Sequence, residues 1–272
     1  MDIDRFWQLI EQARAAAGPQ ADQAIRDVED PEDLGAEELD LWDFDEDRLR
    51  ALMDTVQGES AGDDDNAEAD DAEESDGDYV DDLTDPIAVA LFDLLVQLPA
   101  AEIADFDNTF EDLRAQADVP GVIAAASLIE HGLHTSDTFD DFRAGLVALG
   151  RATYERALSD PDSLAEHPVV REIATAKDPR WFGREDVLFV ASQAYAEVTG
   201  EDAVTFFDFA EGLRESPIAY PDPDGELELW SLENETEIRG KLPRLTGMFL
   251  ARALRNRARA EERFRAALVD QG

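Results

Sequence analysis

Cysteine is absent from this chain, which excludes disulfides, a thiol nucleophile, thiolate zinc sites and thiolate-held iron–sulfur clusters together. No apolar run approaches the roughly 20 residues that a membrane-spanning helix needs. No basic-plus-apolar leader pattern opens the chain either, so the expectation is a soluble, cytoplasmic protein with no membrane contact. Positive charge is scarce: 23 Lys and Arg stand against 66 Asp and Glu, a formal charge of −43 over 272 residues. Only Lys177 and Lys241 are lysines, so nearly every cation is an arginine. A body of that sign repels nucleic-acid backbones and anionic membranes. Also missing are a Gly-rich phosphate loop with its Lys, a dinucleotide fingerprint, a nucleophile elbow and a metalloprotease helix signature. No cofactor and no metal is expected.

What the chain does have is 44% apolar residues, enough to fill a real core. Its acidity is uneven. From Glu59 to Asp85 there are 14 acidic residues and no basic one, among scattered Gly and Ser. Such a segment repels itself and has little to bury, so residues 58–83 are expected to be a disordered acidic insertion. The C-terminal stretch reverses the sign: from Arg239 to Gly272, nine basic residues face three acidic ones, a local +6 that leaves −49 on the rest. Leu245, Phe249, Leu250, Leu254, Ala258, Phe264 and Leu268 recur there at helical spacing, which predicts a long helix from about Leu242 to Leu268. Its apolar side thins beyond Leu254. The Arg255–Arg265 part is expected to rest on the acidic body electrostatically, and it is the one segment suited to nucleic acid.

The periodicity elsewhere is helical. Ile3, Phe6, Trp7, Ile10 and Ala13 share a face that Gly18-Pro19 ends; Pro86 opens a helix through Leu95; Ile103, Phe106, Phe110, Leu113 and Ala117 form the clearest stripe. The run Val122–Ile129 is uncharged and reads as a buried helix. Thr135 or Ser136 caps a helix bearing Phe139, Phe142, Leu146 and Leu149. Asp160-Pro161 starts another, continuing through Val169, Val170 and Ile173; Arg48–Val56, Val187–Val198 and Ala203–Leu213 add further helices. Only Ile218 to Leu232, with its Pro221-Asp222-Pro223-Asp224-Gly225 turn, suggests a small β-hairpin near 217–232. The expected fold is mainly α: a single multi-helix domain from 1–57 plus 84–235, the insertion at 58–83, and a basic C-terminal helix over 236–272.

Four strings carry a family resemblance: FWQLIEQAR (Phe6–Arg14), LPAAEIADFDNTFEDLRAQA (Leu98–Ala117), SDTFDDFRAGLVALGRATYERALSDPDSLAEHPVV (Ser136–Val170) and EDVLFVASQAYAEVTG (Glu185–Gly200). Together with KLPRL (Lys241–Leu245), they resemble the bacterial domain-of-unknown-function family numbered 4240. The chain departs from that pattern in two places. Small residues (Gly121, Ala124, Ala125, Ala126, Ser127) stand where the family usually carries aromatics, and most of Ala21–Thr84 is an addition. The resemblance implies an α-helical bacterial cytoplasmic domain and brings no activity or functional residue with it.

The residues suited to chemistry are few. His131 and His134, three apart beside Glu130 and before Asp137, would face one ion if the backbone there were helical, but Gly132 and the following cap place them at a helix end. Asp137, Asp140, Asp141 and Arg143, with Arg151 further along, would make a carboxylate–guanidinium pocket, although helix-start charge explains them without a substrate. His131, His134, Asp137, Asp140 and Arg143 are therefore the weak catalytic candidates. Asp222–Glu228 has calcium-loop composition without the ligand spacing. Three functions follow: a non-enzymatic interaction or regulatory module with a protein partner of basic charge; an enzyme with its site near His131, His134, Asp137 and Arg143; or an acidic DNA mimic.

Overall fold

The computed structural model describes residues 1–25, 83–132, 136–177, 180–214, 216–219, 230, 232 and 234–270. The expected helix over Arg48–Val56, the acidic insertion, the cap at Thr135, the Asp222–Glu228 turn, most of the hairpin and His134 lie outside the described residues.

Among the described residues the elements are helical, apart from one antiparallel bridge between Ile25 and Trp181. Helix α1 (Ile3–Ala17) starts where Asp2 accepts from the Asp4 N–H and buries Phe6, Trp7, Ile10 and Ala13. It ends at Gly18-Pro19, where a 3₁₀ turn (Gly18–Asp22) takes over. Helix α2 (Pro86–Leu95) begins with proline in its first turn, where no N–H is needed, and Asp85 accepts from the Ile87 and Ala88 N–H groups. Then come α3 (Ala100–Gln116), α4 (Pro120–Ile129), α5 (Ser136–Ala148), α6 (Arg151–Ser159), a 3₁₀ turn (Pro161–Glu166), α7 (Pro168–Thr175), α8 (Glu185–Thr199) and α9 (Ala203–Leu213). Helices α10 (Glu235–Lys241) and α11 (Pro243–Asp270) follow. No described helix is long and apolar enough to cross a membrane.

Helix α8 is the hub, packing against α2, α3, α5 and α9. The stripe Ile103, Phe106, Phe110 and Leu113 is buried as its spacing requires, and Phe106 stacks on Phe6 at 4.8 Å between ring centroids. Each such side chain contributes about 1.5–3 kcal/mol on burial. Helix α4 is sheathed by α11 and by the second 3₁₀ turn. Its residues Val122, Ala124, Ala125, Ala126, Leu128 and Ile129 are all buried, as an uncharged helix must be.

Helix α11 is fastened at its start in two ways. Leu245, Phe249, Leu250 and Ala253 join the main core. In addition, the buried Asp162 carboxylate accepts from the Arg244 N–H at 3.0 Å, the Leu245 N–H at 2.9 Å and Arg244 Nε at 2.8 Å, meeting the positive end of the helix. The backbones of α11 and the α4 terminus touch at Gly132, where a Cβ would lie 2.6 Å from the Ala253 carbonyl oxygen; its φ of +80° also favours glycine.

Three boundaries differ from the sequence expectation. Arg151 does not continue the helix of Asp137–Arg143, because Gly150, at φ +90°, separates α5 from α6. The segment from Pro161 does not run on through Ile173: His167 caps a new helix at Pro168, its ring Nδ1 accepting from the Val169 N–H. Segment 236–272 is not one helix: the long helix starts at Pro243, where its spacing from about Leu242 placed it, but a separate α10 precedes it, because a residue before proline is pushed out of helical backbone and Leu242 sits at φ −126°, ψ 60°.

Candidate functional site

The site is organised by the irregular stretch 180–184 between α7 and α8. Trp181 exchanges both backbone hydrogen bonds with Ile25 at 2.9 Å. Phe182 stacks on Phe142 at 4.4 Å, and its carbonyl oxygen lies so close to Gly145 that a Cβ there would sit 2.5 Å away. A small residue in α5 thus lets the stretch lie flat on that helix. Arg184 is buried; it pairs with Asp85 and donates to the carbonyls of Ala21 at 3.1 Å and Gln23 at 3.0 Å.

Facing this stretch is the C-terminus of α4. The Gly132 N–H reaches back to the Ser127 carbonyl at 2.7 Å, leaving His131 at φ +61°, the left-handed position that helix ends usually give to glycine. That turn aims two side chains at the stretch. His131 is neutral: burial, with Arg252 nearby, pushes its pKa down to about 4, and its Nε2–H donates to the Arg180 carbonyl at 2.9 Å. Its ring meets Trp181 edge-on at 5.2 Å. Glu130 is 1% exposed, and its Oε1 accepts from the Phe182 and Gly183 N–H groups, both at 3.0 Å. Its Oε2 is buried with no hydrogen-bond partner, as is the indole Nε1 of Trp181. Burial raises the Glu130 carboxyl to about 8 against the opposing pull of those two N–H groups.

Glu130, Asp141 and Trp181 line one cleft of about 530 Å³, together with Asp85, Arg184, Glu185 and Asp186. Asp141 is raised to about 7, chiefly by burial and then by Glu185, Asp140 and Asp137. Five carboxyl side chains therefore meet one guanidinium, and that guanidinium is already committed to Asp85. One Asp186 oxygen is engaged too, holding the Thr84 and Asp85 N–H groups at 2.6 Å.

The residues expected from sequence are not gathered here as a set. Asp137 is exposed in the first turn of α5. Asp140 bonds Arg143 and lies 3.0 Å from Arg114; Arg143 is buried over the Phe139 ring, 4.7 Å from its centroid. That cluster opens on a different groove, lined by Asp140, Arg114, Phe189 and Phe207. Adjacent helical residues project about 100° apart, so Asp140 and Asp141 serve different surfaces. Arg151 pairs with Asp4 and Glu155 instead. Among the described residues, no group of three His, Asp or Glu side chains is placed to hold a metal ion.

Most of this cleft falls within residues 67–197, over which the chain matches a family model described as a protein of unknown function, DUF4240. The chain resembles that family. Neither a curated protein nor a solved structure matches it. The matched span takes in α2 to α7 and nearly all of α8, with Glu130, Asp141, Trp181 and Arg184, while Gln20–Ile25 on the cleft rim lies outside it.

The sequence pattern marks Asp141 only as one of a helix-start cluster and Glu130 only as a neighbour of His131, and leaves Trp181 out, although signals existed. Glu130 is the first charge after eleven uncharged residues, Val119–Ile129, and it sits where the helix ends. Trp181-Phe182-Gly183-Arg184 packs two aromatics, a glycine and an arginine into a stretch with no helical period.

Proposed function

We propose that the protein is a non-enzymatic interaction module, cytoplasmic, which presents an acidic surface to a basic partner. The observation that carries this reading is the fate of the body's arginines. Arg14, Arg114, Arg143, Arg184 and Arg214 are only 1–16% exposed, and each is paired with a carboxylate of the same chain. Five cations are thereby withdrawn from solvent, and Arg5, Arg151 and Arg156, about half exposed, are also bridged to carboxylates, so the uncompensated charge is the excess of 66 acidic over 23 basic residues. Such a field selects basic partners and speeds their encounter at low salt. The acidic run over residues 58–83 adds to it by charge alone.

The test is calorimetric titration of the full chain with a basic peptide, a nine-residue oligolysine, across a salt series. Binding at low salt that weakens steadily as salt rises is expected. Absence of binding at low salt, or stoichiometric metal in the purified protein, would sink the reading. Capture of a basic nucleic-acid-binding protein in preference to other basic proteins would assign the partner to the class that an acidic DNA mimic engages.

A further inference from the structure

We infer that the cleft beneath stretch 180–184 is a binding site for a guanidinium group, the side chain of an arginine on the partner, held by Glu130 and Asp141 against Trp181. The inference rests on the interaction reading above and names the group recognised. Its basis is the state of Glu130. A side chain 1% exposed, lining a cleft, carries one oxygen fully served by two backbone N–H groups and another with no partner. Buried polar atoms are normally bonded, and an unpaired one costs about 1–3 kcal/mol. Once ionised, Glu130 has an unserved acceptor oxygen in the wall of the cleft, which a donor drawn into the cleft would satisfy.

The surroundings decide which donor. Asp141, from a different helix, supplies a second carboxyl in the same cleft. Its side chain takes none of the contacts that tie Arg184 down; only its backbone carbonyl does, accepting from the Arg184 N–H at 3.0 Å. Trp181 offers an aromatic wall, fixed by its two backbone bonds to Ile25 and by the His131 edge contact. A guanidinium is planar, has five N–H donors in a fixed fork, and stacks on aromatic faces; it can serve two carboxyl groups from one plane, which a compact ammonium does less well. A divalent metal is the poorer match, since three anionic ligands do not converge.

Binding is coupled to proton release. Near neutral pH, Glu130, raised to about 8, largely holds its proton, and Asp141, raised to about 7, is partly protonated. The charges acting on Glu130 are Asp141 from α5 and Arg252 from α11; those acting on Asp141 are Glu185, Asp140, Asp137 and Arg114. None of the cations among them lines the cleft, so an entering guanidinium is the new charge that favours ionisation. The proton leaves to solvent as the ion pair forms.

The experiment compares the oligolysine peptide with one in which the central lysine is arginine, at equal charge. Calorimetry on the full chain, in two buffers of different ionisation enthalpy, reads affinity and protons released. The arginine peptide is expected to bind about tenfold tighter and to release protons. Glu130→Gln and Asp141→Asn should each abolish the gain, while Glu197→Gln, at an exposed carboxylate outside the cleft, keeps it. Should Glu130→Gln fold poorly, Asp141→Asn alone carries the comparison. Equal affinity for the two peptides, or a gain that survives both variants, overturns the inference and leaves the acidic-surface reading standing. Failure of both peptides to bind overturns both. Methylguanidine binding as tightly as the arginine peptide would assign the site to a free small molecule, and loss of the gain in magnesium at matched ionic strength would assign it to a metal; either result overturns the partner assignment.

Discussion

Asp162 and Glu130 are buried to the same degree, 3% and 1% exposed, in the same core, yet the chain treats them differently. Asp162 receives two backbone N–H groups and an Arg Nε, with both oxygens engaged, at the start of α11. Glu130 receives two N–H groups on one oxygen and nothing on the other. Burial alone therefore says little about the role of a carboxylate. Whether its lone pairs are served decides whether it fastens the fold or is left with capacity for something else.

The largest effect should come from making the same change, carboxylate to amide, at the satisfied site. Asp162→Asn turns an acceptor into a donor facing the Arg244 and Leu245 N–H groups, and is expected to cost about 3 kcal/mol. Denaturant unfolding measures it, and a loss below about 1 kcal/mol would mean that the apolar face of α11 holds the helix unaided.

Next comes pH. Glu130, Asp141 and Asp107 are raised to about 8, 7 and 7, so between their ordinary values and these the folded protein holds more protons than the unfolded chain, and stability falls as pH rises. His131 and His167, lowered to about 4, act in the opposite sense, adding stability as pH rises towards 6.5 and contributing no further change above it. Above 6.5 these carboxyl groups act without the histidines, and a loss of about 3 kcal/mol by pH 8 is expected. Glu130→Gln should remove about half of it. Stability that is flat over that interval would show that Glu130 ionises as an ordinary carboxylate.

Gly145→Ala should cost about 1–2 kcal/mol by pressing a methyl group against the Phe182 carbonyl, and should widen the cleft as the stretch lifts. Quenching of Trp181 by acrylamide reads the second consequence. The smallest effect is at the other member of the opening pair: Glu130→Gln at pH 6.5 should change stability by less than about 1 kcal/mol. The amide keeps the oxygen that Phe182 and Gly183 need and matches the protonated acid in shape. A cost equal to that of Asp162→Asn would erase the contrast between the two sites.

The sequence by itself determined most helices, through the period of Phe6, Ile10 and Ala13 or of Ile103, Phe106 and Phe110, and through prolines 86, 120 and 161 at first-turn positions. Local sterics and one-sided burial act along the chain, so spacing reveals them. It also determined the acidic field, since charge adds without regard to fold. Less legible were breaks that depend on single residues, such as Gly150 and the Leu242-Pro243 step. The tertiary structure alone decided the cleft. Glu130, Asp141 and Trp181 lie on α4, on α5 and on the stretch before α8, and only packing brings them to one place. It also chose Asp141 over its neighbour Asp140, because the facing of a helix is fixed by what the rest of the helix buries.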